Sequence, residues 1–232
     1  MNEPDLLVEL ENVSVPGSPW FDVGLSDVSF RLRPGDWIAV RLEPGATHCP
    51  LADAIAGLIP VEQGRLRYLG KAWEEVSSRE ADRMRSTLGR VFEQTNWISN
   101  LDIDENILLS QRYHTQRPES EIREEADRLA RNFGFDQLPG IRPAHLTTSD
   151  LVRLSWVRAL LGSPRLLLLE RPARECTPVW RDRLMTEVAA ACARGAAALW
   201  LTDDPATWAG LQHKAVLLFA LNDSTMTPVP KP

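Results

Sequence analysis

The chain has 232 residues, 44% of them hydrophobic and 25% charged, which supplies the core of one large α/β domain and excludes a disordered chain. A formal net charge of -6, with the basic residues dispersed, argues against nucleic acid as a partner. Three widely separated cysteines, Cys49, Cys176 and Cys192, argue against a disulfide framework or a Cys/His metal cluster and fit a reducing compartment.

The first ten residues, MNEPDLLVEL, are acidic and lack a positive n-region with an apolar core. No run of the chain approaches the length of a spanning helix, so any membrane association is expected to be peripheral. LLVELENVSV and LSDVSFRLR alternate apolar and polar residues as half-buried strands do, and RPGD is a turn signal before the strand WIAV. RLEPGATHCPLADAIAGL then outlines a strand end, a turn and a helix start, with Pro50 opening the helix and Thr47 or Cys49 as its cap. GRLRYLG reads as a strand, SSREADRMRSTL as a charged helix and GRVFE as another strand.

Helix signals dominate residues 102–133. Pro118 stands near a helix start, Glu119, Glu121, Glu124 and Glu125 crowd the first turns, and Ile122, Ala126, Leu129 and Phe133 recur at helical spacing before Gly134. A helix is expected over 151–161, the apolar run LLLL at 166–169, a helix over 179–193, the run AAALWL, and a last strand at AVLLFAL before a loose tail, NDSTMTPVPKP. Continuous apolar runs separated by helices predict a parallel sheet covered on both faces, whose strand carboxyl ends carry the sites. The expected fold is α/β: a single domain over 1–232 with a mostly parallel sheet, an antiparallel β edge and a helical subdomain inserted near 95–160. The eight tryptophans are expected as core and interface anchors.

The framework pieces LENVSV, LSDVSFRLRPGD, ADAIAGLIPVEQGRLRYLGK and LVRLSWVRALLGSPRLLLLERP, in this order and spacing, resemble the nucleotide-binding subunit of an ABC transporter over nearly the whole chain. That resemblance implies the ABC-type P-loop NTPase fold. Between Glu93 and Gly134, NLDIDENILL and HTQRP look most like the ATPases of Mla-type phospholipid transporters.

The resemblance aligns the family's chemical motifs with altered residues. The phosphate loop G-x-x-x-x-G-K-S/T falls on LEPGATHC, where only Gly45 survives of the glycines; Leu42 and Thr47 match the outer glycines, His48 the lysine and Cys49 the hydroxyl that holds Mg²⁺. Pro50 follows where a backbone N–H would face phosphate, and Glu43 adds negative charge to a loop meant for a polyanion. The signature L-S-G-G-Q falls on LTTSD: Thr147 can still donate, Thr148 and Ser149 replace the glycines, and Asp150 brings a carboxylate into the first turn, where Thr and Asp cap a helix well.

In LLLLER, Glu170 matches the metal-side Asp and Arg171 the catalytic Glu, whose role of accepting a proton a cation cannot fill. Glu170 remains a conceivable but poor Mg²⁺ ligand. Glu93 matches the glutamine that senses the membrane domain, with Gln94 one place late; Thr177 matches the Asp of the dimer-contact loop, and Asp203 the switch His. The adenine-stacking aromatic falls near Gly17, with Trp20 as a weak substitute. Trp97 and Ile98 fall where the family receives a coupling helix of the permease, so they form either a docking surface or part of the core.

The expectation is therefore a catalytically inactive homologue with no catalytic residue, metal site or cofactor, weak ATP/Mg²⁺ binding being left open. It would act as a structural or regulatory subunit on an integral membrane permease, paired with another nucleotide-binding subunit in a hetero- or homodimer, at the cytoplasmic face of the inner membrane, in phospholipid transport. The alternative is a divergent active ATPase using His48 and a slipped Gln94; a third reading is a soluble regulator that has left the transporter.

Overall fold

The computed structural model describes residues 6–17, 21, 24–45, 48–215 and 217–231. Strands β1 (Val8–Val15), β2 (Leu25–Leu32) and β3 (Trp37–Arg41) open the chain, followed by a short helix α1 (Leu51–Ile55), β4 (Gln63–Tyr68), α2 (Ser78–Arg85) and β5 (Leu88–Val91). Three helices come next, α3 (Ile103–His114), α4 (Glu119–Asn132) and α5 (Thr148–Leu160). The chain then alternates β6 (Leu166–Glu170), α6 (Pro178–Ala193), β7 (Ala197–Thr202), α7 (Pro205–Gln212), β8 (Leu217–Asn222) and β9 (Thr225–Pro228).

One nine-stranded sheet runs β4-β1-β2-β9-β8-β3-β7-β6-β5. The five strands β8, β3, β7, β6 and β5 are mutually parallel, while β4, β1 and β2 pair antiparallel at the other end. This is the α/β architecture with an antiparallel edge that the apolar runs predict. The runs are continuous because both sheet faces are buried: Leu167, Leu169, Ala198, Trp200, Trp37 and Ala39 enter one core cluster, and their neighbours Leu166, Leu168, Ala197, Leu199, Ile38 and Val40 enter the other. Trp37 and Trp200 stack at 5.8 Å on the first face, which also receives Trp156. The opposite face also holds Ile55 of α1 and Tyr68 of β4.

The helices obey their local signals. Glu105 accepts from the Asp102 backbone N–H at 2.7 Å to start α3, Pro118 is the N-cap of α4, and Ile122, Ala126 and Ala130 form the buried stripe of α4. The tail is a correction. Residues 225–228 form β9, antiparallel to β8 and bridged to β2 through Thr225 and Ser26. Its apolar content is low, so nothing in its sequence marks it; the gap between β2 and β8 supplies the backbone partners.

Candidate functional site

In the sheet β3, β7, β6 and β5 are neighbours, so their carboxyl ends deliver four segments to one place: the loop after β3, Glu170 and Arg171 after β6, Asp203 after β7 and Glu93 after β5. Arg171 is the centre. Its side chain is 3% exposed; Nη1 lies 3.0 Å from Glu93 Oε1 and Nε 3.1 Å from Asp203 Oδ2. The second contact is an ion pair without the alignment of a hydrogen bond. Glu93 also meets Arg174 at 3.4 Å, and its Oε2 accepts from the His48 backbone N–H at 3.1 Å with His48 Nδ1 3.6 Å away. Gln94 is exposed, so the one-residue slip that would place a glutamine here does not occur.

A second set stands beside the first. Arg90 donates through Nε to Glu170 Oε1 at 2.7 Å and reaches Asp53 Oδ1 of α1 through Nη2 at 2.6 Å. Burial pushes the Glu170 carboxyl above its ordinary value, with Arg90 pulling the other way. Burial also works against the Arg90 charge, but Glu170 and Asp53 outweigh it and raise its pKa. Glu170 Oε1, Asp53 Oδ1 and two of the three Arg90 guanidinium nitrogens are thus committed to each other. Sequence reasoning missed Asp53, Arg90 and Arg174; the available signals were a charged residue inside the short strand GRV and an acid on the buried helix LADAI.

The loop after β3 keeps its path. Gly45 sits at φ +81° with open space around an added Cβ, and two non-glycine residues of the site, His48 (φ 37°) and Arg171 (φ 42°), occupy the same left-handed region, a strain of about 1–3 kcal/mol each. Leu42 is buried, and its N–H donates to Thr202 O at 2.8 Å. Burial pushes the buried Cys49 thiol up to about 12, so it stays protonated near neutral pH. Pro50 is the N-cap of α1 in helical geometry with no side-chain cap bond. The capping role expected of Cys49 is therefore not realised, because Pro50 itself occupies the cap; Thr47 and Trp20 lie outside the described residues.

The segment 146–150 is built separately, at the start of α5. Thr147 is the N-cap and accepts from the Asp150 N–H at 3.2 Å, while its hydroxyl donates to Asp150 Oδ2 at 2.7 Å. Asp150 is further paired with Arg153, whose guanidinium lies over the rings of Phe135 and Trp180. Thr148 is exposed and Ser149 half-buried. The helix end satisfies one of its free N–H groups internally, as its capping residues predict. Thr177 is the N-cap residue of α6.

A groove of about 460 Å³ opens between the segment after β5, α3 and Arg158 near the end of α5. The structure separates the pair Trp97 and Ile98. Trp97 packs on the core with the Arg158 guanidinium 4.4 Å over its ring, whereas Ile98 is 43% exposed in the groove wall with Leu109 and Tyr113. Phe92 lies under both systems, with Arg90 4.4 Å and Arg158 5.8 Å from its ring centre.

The sequence profile of the family described as "ABC transporter" matches residues 25–174. The phosphonates import ATP-binding protein PhnC of Treponema denticola is 26% identical over 180 residues, covering 75% of this chain and 70% of that protein. The glutamate/aspartate import ATP-binding protein GltL of Escherichia coli is 29% identical over 177 residues, covering 74% and 70%. Among solved structures, a dimeric ATP-binding cassette in a post-hydrolysis state with ADP and Pi superposes with a TM-score of 0.82 at 18% identity, over 96% of this chain and 99% of that one.

Proposed function

The chain belongs to the ABC transporter family, with the ATP-binding subunits as its relatives, and on that premise we propose that it does not hydrolyse ATP and serves as a structural or regulatory subunit of a transporter. It docks on an integral membrane permease at the cytoplasmic face, beside a second nucleotide-binding subunit, and no helix among its described residues is long and apolar enough to cross the membrane itself.

One observation carries this reading: a buried arginine, Arg171, stands where the family resemblance calls for a proton-accepting carboxylate and is locked between Glu93 and Asp203. A guanidinium cannot take a proton from water at neutral pH. The surrounding groups fit a Mg²⁺-triphosphate poorly. The His48 N–H is already donated to a carboxylate, Pro50 has no N–H, the neutral Cys49 thiol is no ligand for a hard cation, and Glu170 is bound by Arg90. Helix α1, five residues long, supplies little of the dipole on which phosphate loops rely. In effect Glu93 serves the loop as a built-in anion.

Calorimetric titration of the pure protein with ATP, with and without Mg²⁺, tests the proposal. No binding at tens of micromolar ATP is expected; micromolar affinity or phosphate release would overturn it. The second reading, a divergent ATP-hydrolysing subunit, is favoured by the relatives, which are named ATP-binding proteins. Removing a single preorganised charge-stabilising donor slows an enzyme roughly 10²–10³-fold, and here several such positions have changed together. Phospholipid as the cargo rests on the pattern from Glu93 to Gly134 alone, since the relatives are named for phosphonates and for glutamate and aspartate.

A further inference from the structure

The end of the sheet opposite the strand carboxyl ends carries two clefts in which the strand-end site has no part. β3, β7 and β6 are parallel neighbours, so the turns that lead into them stand together: the Gly35 N–H donates to Ala196 O and the Ala197 N–H to Arg165 O, both at 2.8 Å. One cleft, of about 420 Å³, is lined by Arg165 and Arg194; the other, of about 510 Å³, is lined by Lys214, Gly35 and Trp37, and the two share Gly195. No acidic residue lines either cleft, on a chain whose formal net charge is -6.

The fold does not use these three cations. Among the described residues none of their side chains has an ion pair or a hydrogen bond. The helix ends nearby are closed without them: the carbonyls of Ala190, Ala191 and Cys192 at the end of α6 accept from the backbone N–H groups of Arg194, Ala196 and Gly195, and Leu211 O accepts from those of Lys214 and Ala215. Asp36, the acid of the turn before β3, has its carboxylate on the Arg33 N–H at 2.7 Å. Gly195 stands at φ +100°, and a Cβ added there would meet nothing within 4 Å, so the backbone where the clefts join lies open. Trp37 is 3% exposed, and its indole N–H is a buried donor with no acceptor among the described residues.

We propose that the joined clefts are a receptor for a phosphate group, carried by a small phosphorylated molecule or by the headgroup of an anionic lipid, with Arg165 and Arg194 gripping its oxygens and Lys214 adding a third positive charge. Guanidinium forks match phosphate oxygens through paired, charge-assisted hydrogen bonds, and the lysine acts as a point charge. Clefts of this size suit a small ligand or a headgroup rather than a protein segment. With no carboxylate in the lining, the attraction for an anion is not cancelled from within the chain. The receptor lies at the other end of the sheet from Glu93, Arg171 and Asp203, so it does not depend on whether the strand-end site takes a nucleotide.

The test titrates the full chain with inorganic pyrophosphate at low salt and follows its NMR signals. The amides of Gly35 and Gly195 and the indole N–H of Trp37 should move together, with a Kd on the order of 0.1–1 mM. The affinity should fall at least about tenfold when Arg165→Gln and Arg194→Gln are combined, and equally in Ala193→Glu, which leaves the cations in place and sets a carboxylate at the cleft rim; all three side chains are exposed, so the variants fold. Co-sedimentation with phosphatidylcholine vesicles carrying phosphatidic acid separates the two sources. Sedimentation that these variants abolish assigns the receptor to a lipid headgroup, and pyrophosphate binding without sedimentation assigns it to a free phosphorylated molecule. Pyrophosphate binding that leaves Gly35 and Gly195 unmoved, binding or sedimentation that survives the variants, or no binding in either arm overturns the proposal.

Discussion

Arg171 is a buried cation and Arg158 a half-buried one, and the first is closed while the second is open. Arg171 meets Glu93 and Asp203 within 3.1 Å, whereas Arg158 meets carbonyls and aromatic faces and no carboxylate among the described residues. Phe92 touches the guanidiniums of Arg90 and Arg158, so the closed and open systems are only one ring apart. A buried charge must be balanced. The strand-end site pairs its charges within the chain, whereas among the described residues Arg158 is held by carbonyls and rings alone.

The largest effect should come from opening the closed site. Arg171→Leu leaves Glu93 and Asp203 without their main counter-charge and should cost about 3–5 kcal/mol in urea unfolding. Replacing Glu93, Arg171 and Asp203 together by apolar residues should recover most of that loss, because no orphaned charge remains. A loss below about 1 kcal/mol for the single change would show that the network is not closed in solution. Arg158→Gln breaks two carbonyl bonds and two ring contacts but strands no carboxylate, so its unfolding penalty should be smaller, about 1–2 kcal/mol. If it matched the penalty at Arg171, the contrast between the two arginines would fail.

The smallest effect lies at the start of α5. Thr147→Ala removes a cap and should cost about 1 kcal/mol near neutral pH. Burial pushes the Asp150 carboxyl up, but the hydrogen bonds of Thr147 and the charge of Arg153 outweigh it and hold it below its ordinary value. A depressed folded value means that this stabilisation is complete above the unfolded carboxylate range and is lost as pH falls through the folded value. Asp204, where the hydrogen bonds of Thr207 outweigh burial, acts in the same direction. Melting temperatures should therefore drop below about pH 4, with the gap between wild type and Thr147→Ala narrowing there; a constant gap would separate the cap from the Asp150 charge.

Much of this was legible in the chain itself. Apolar runs such as LLLL and AAALWL specify strands buried on both faces because hydrophobicity is a local property that needs no partner to be read. His48, Cys49, Pro50, Glu170 and Arg171 were visible as residue types other than those the family resemblance expects, and Thr147 was visible as a cap because its partner Asp150 lies three residues away. Gln94 misled because sequence spacing cannot say which of two adjacent side chains turns into a site. β9 was missed because an inner strand of low hydrophobicity is held by the backbone groups of β8 and β2, which its own residues do not announce.

Tertiary structure alone decided how the charges pair. Arg90 finds Glu170 across 80 positions of sequence, Arg171 finds Glu93 across the junction of two parallel strands, and Arg158 finds no acid among the described residues. Side-chain chemistry is written residue by residue, so the sequence by itself determined which positions depart from the pattern the family resemblance expects. Whether a buried charge is neutralised depends on which strand ends the fold brings within a few ångströms, and Coulomb attraction in a desolvated site decides the rest.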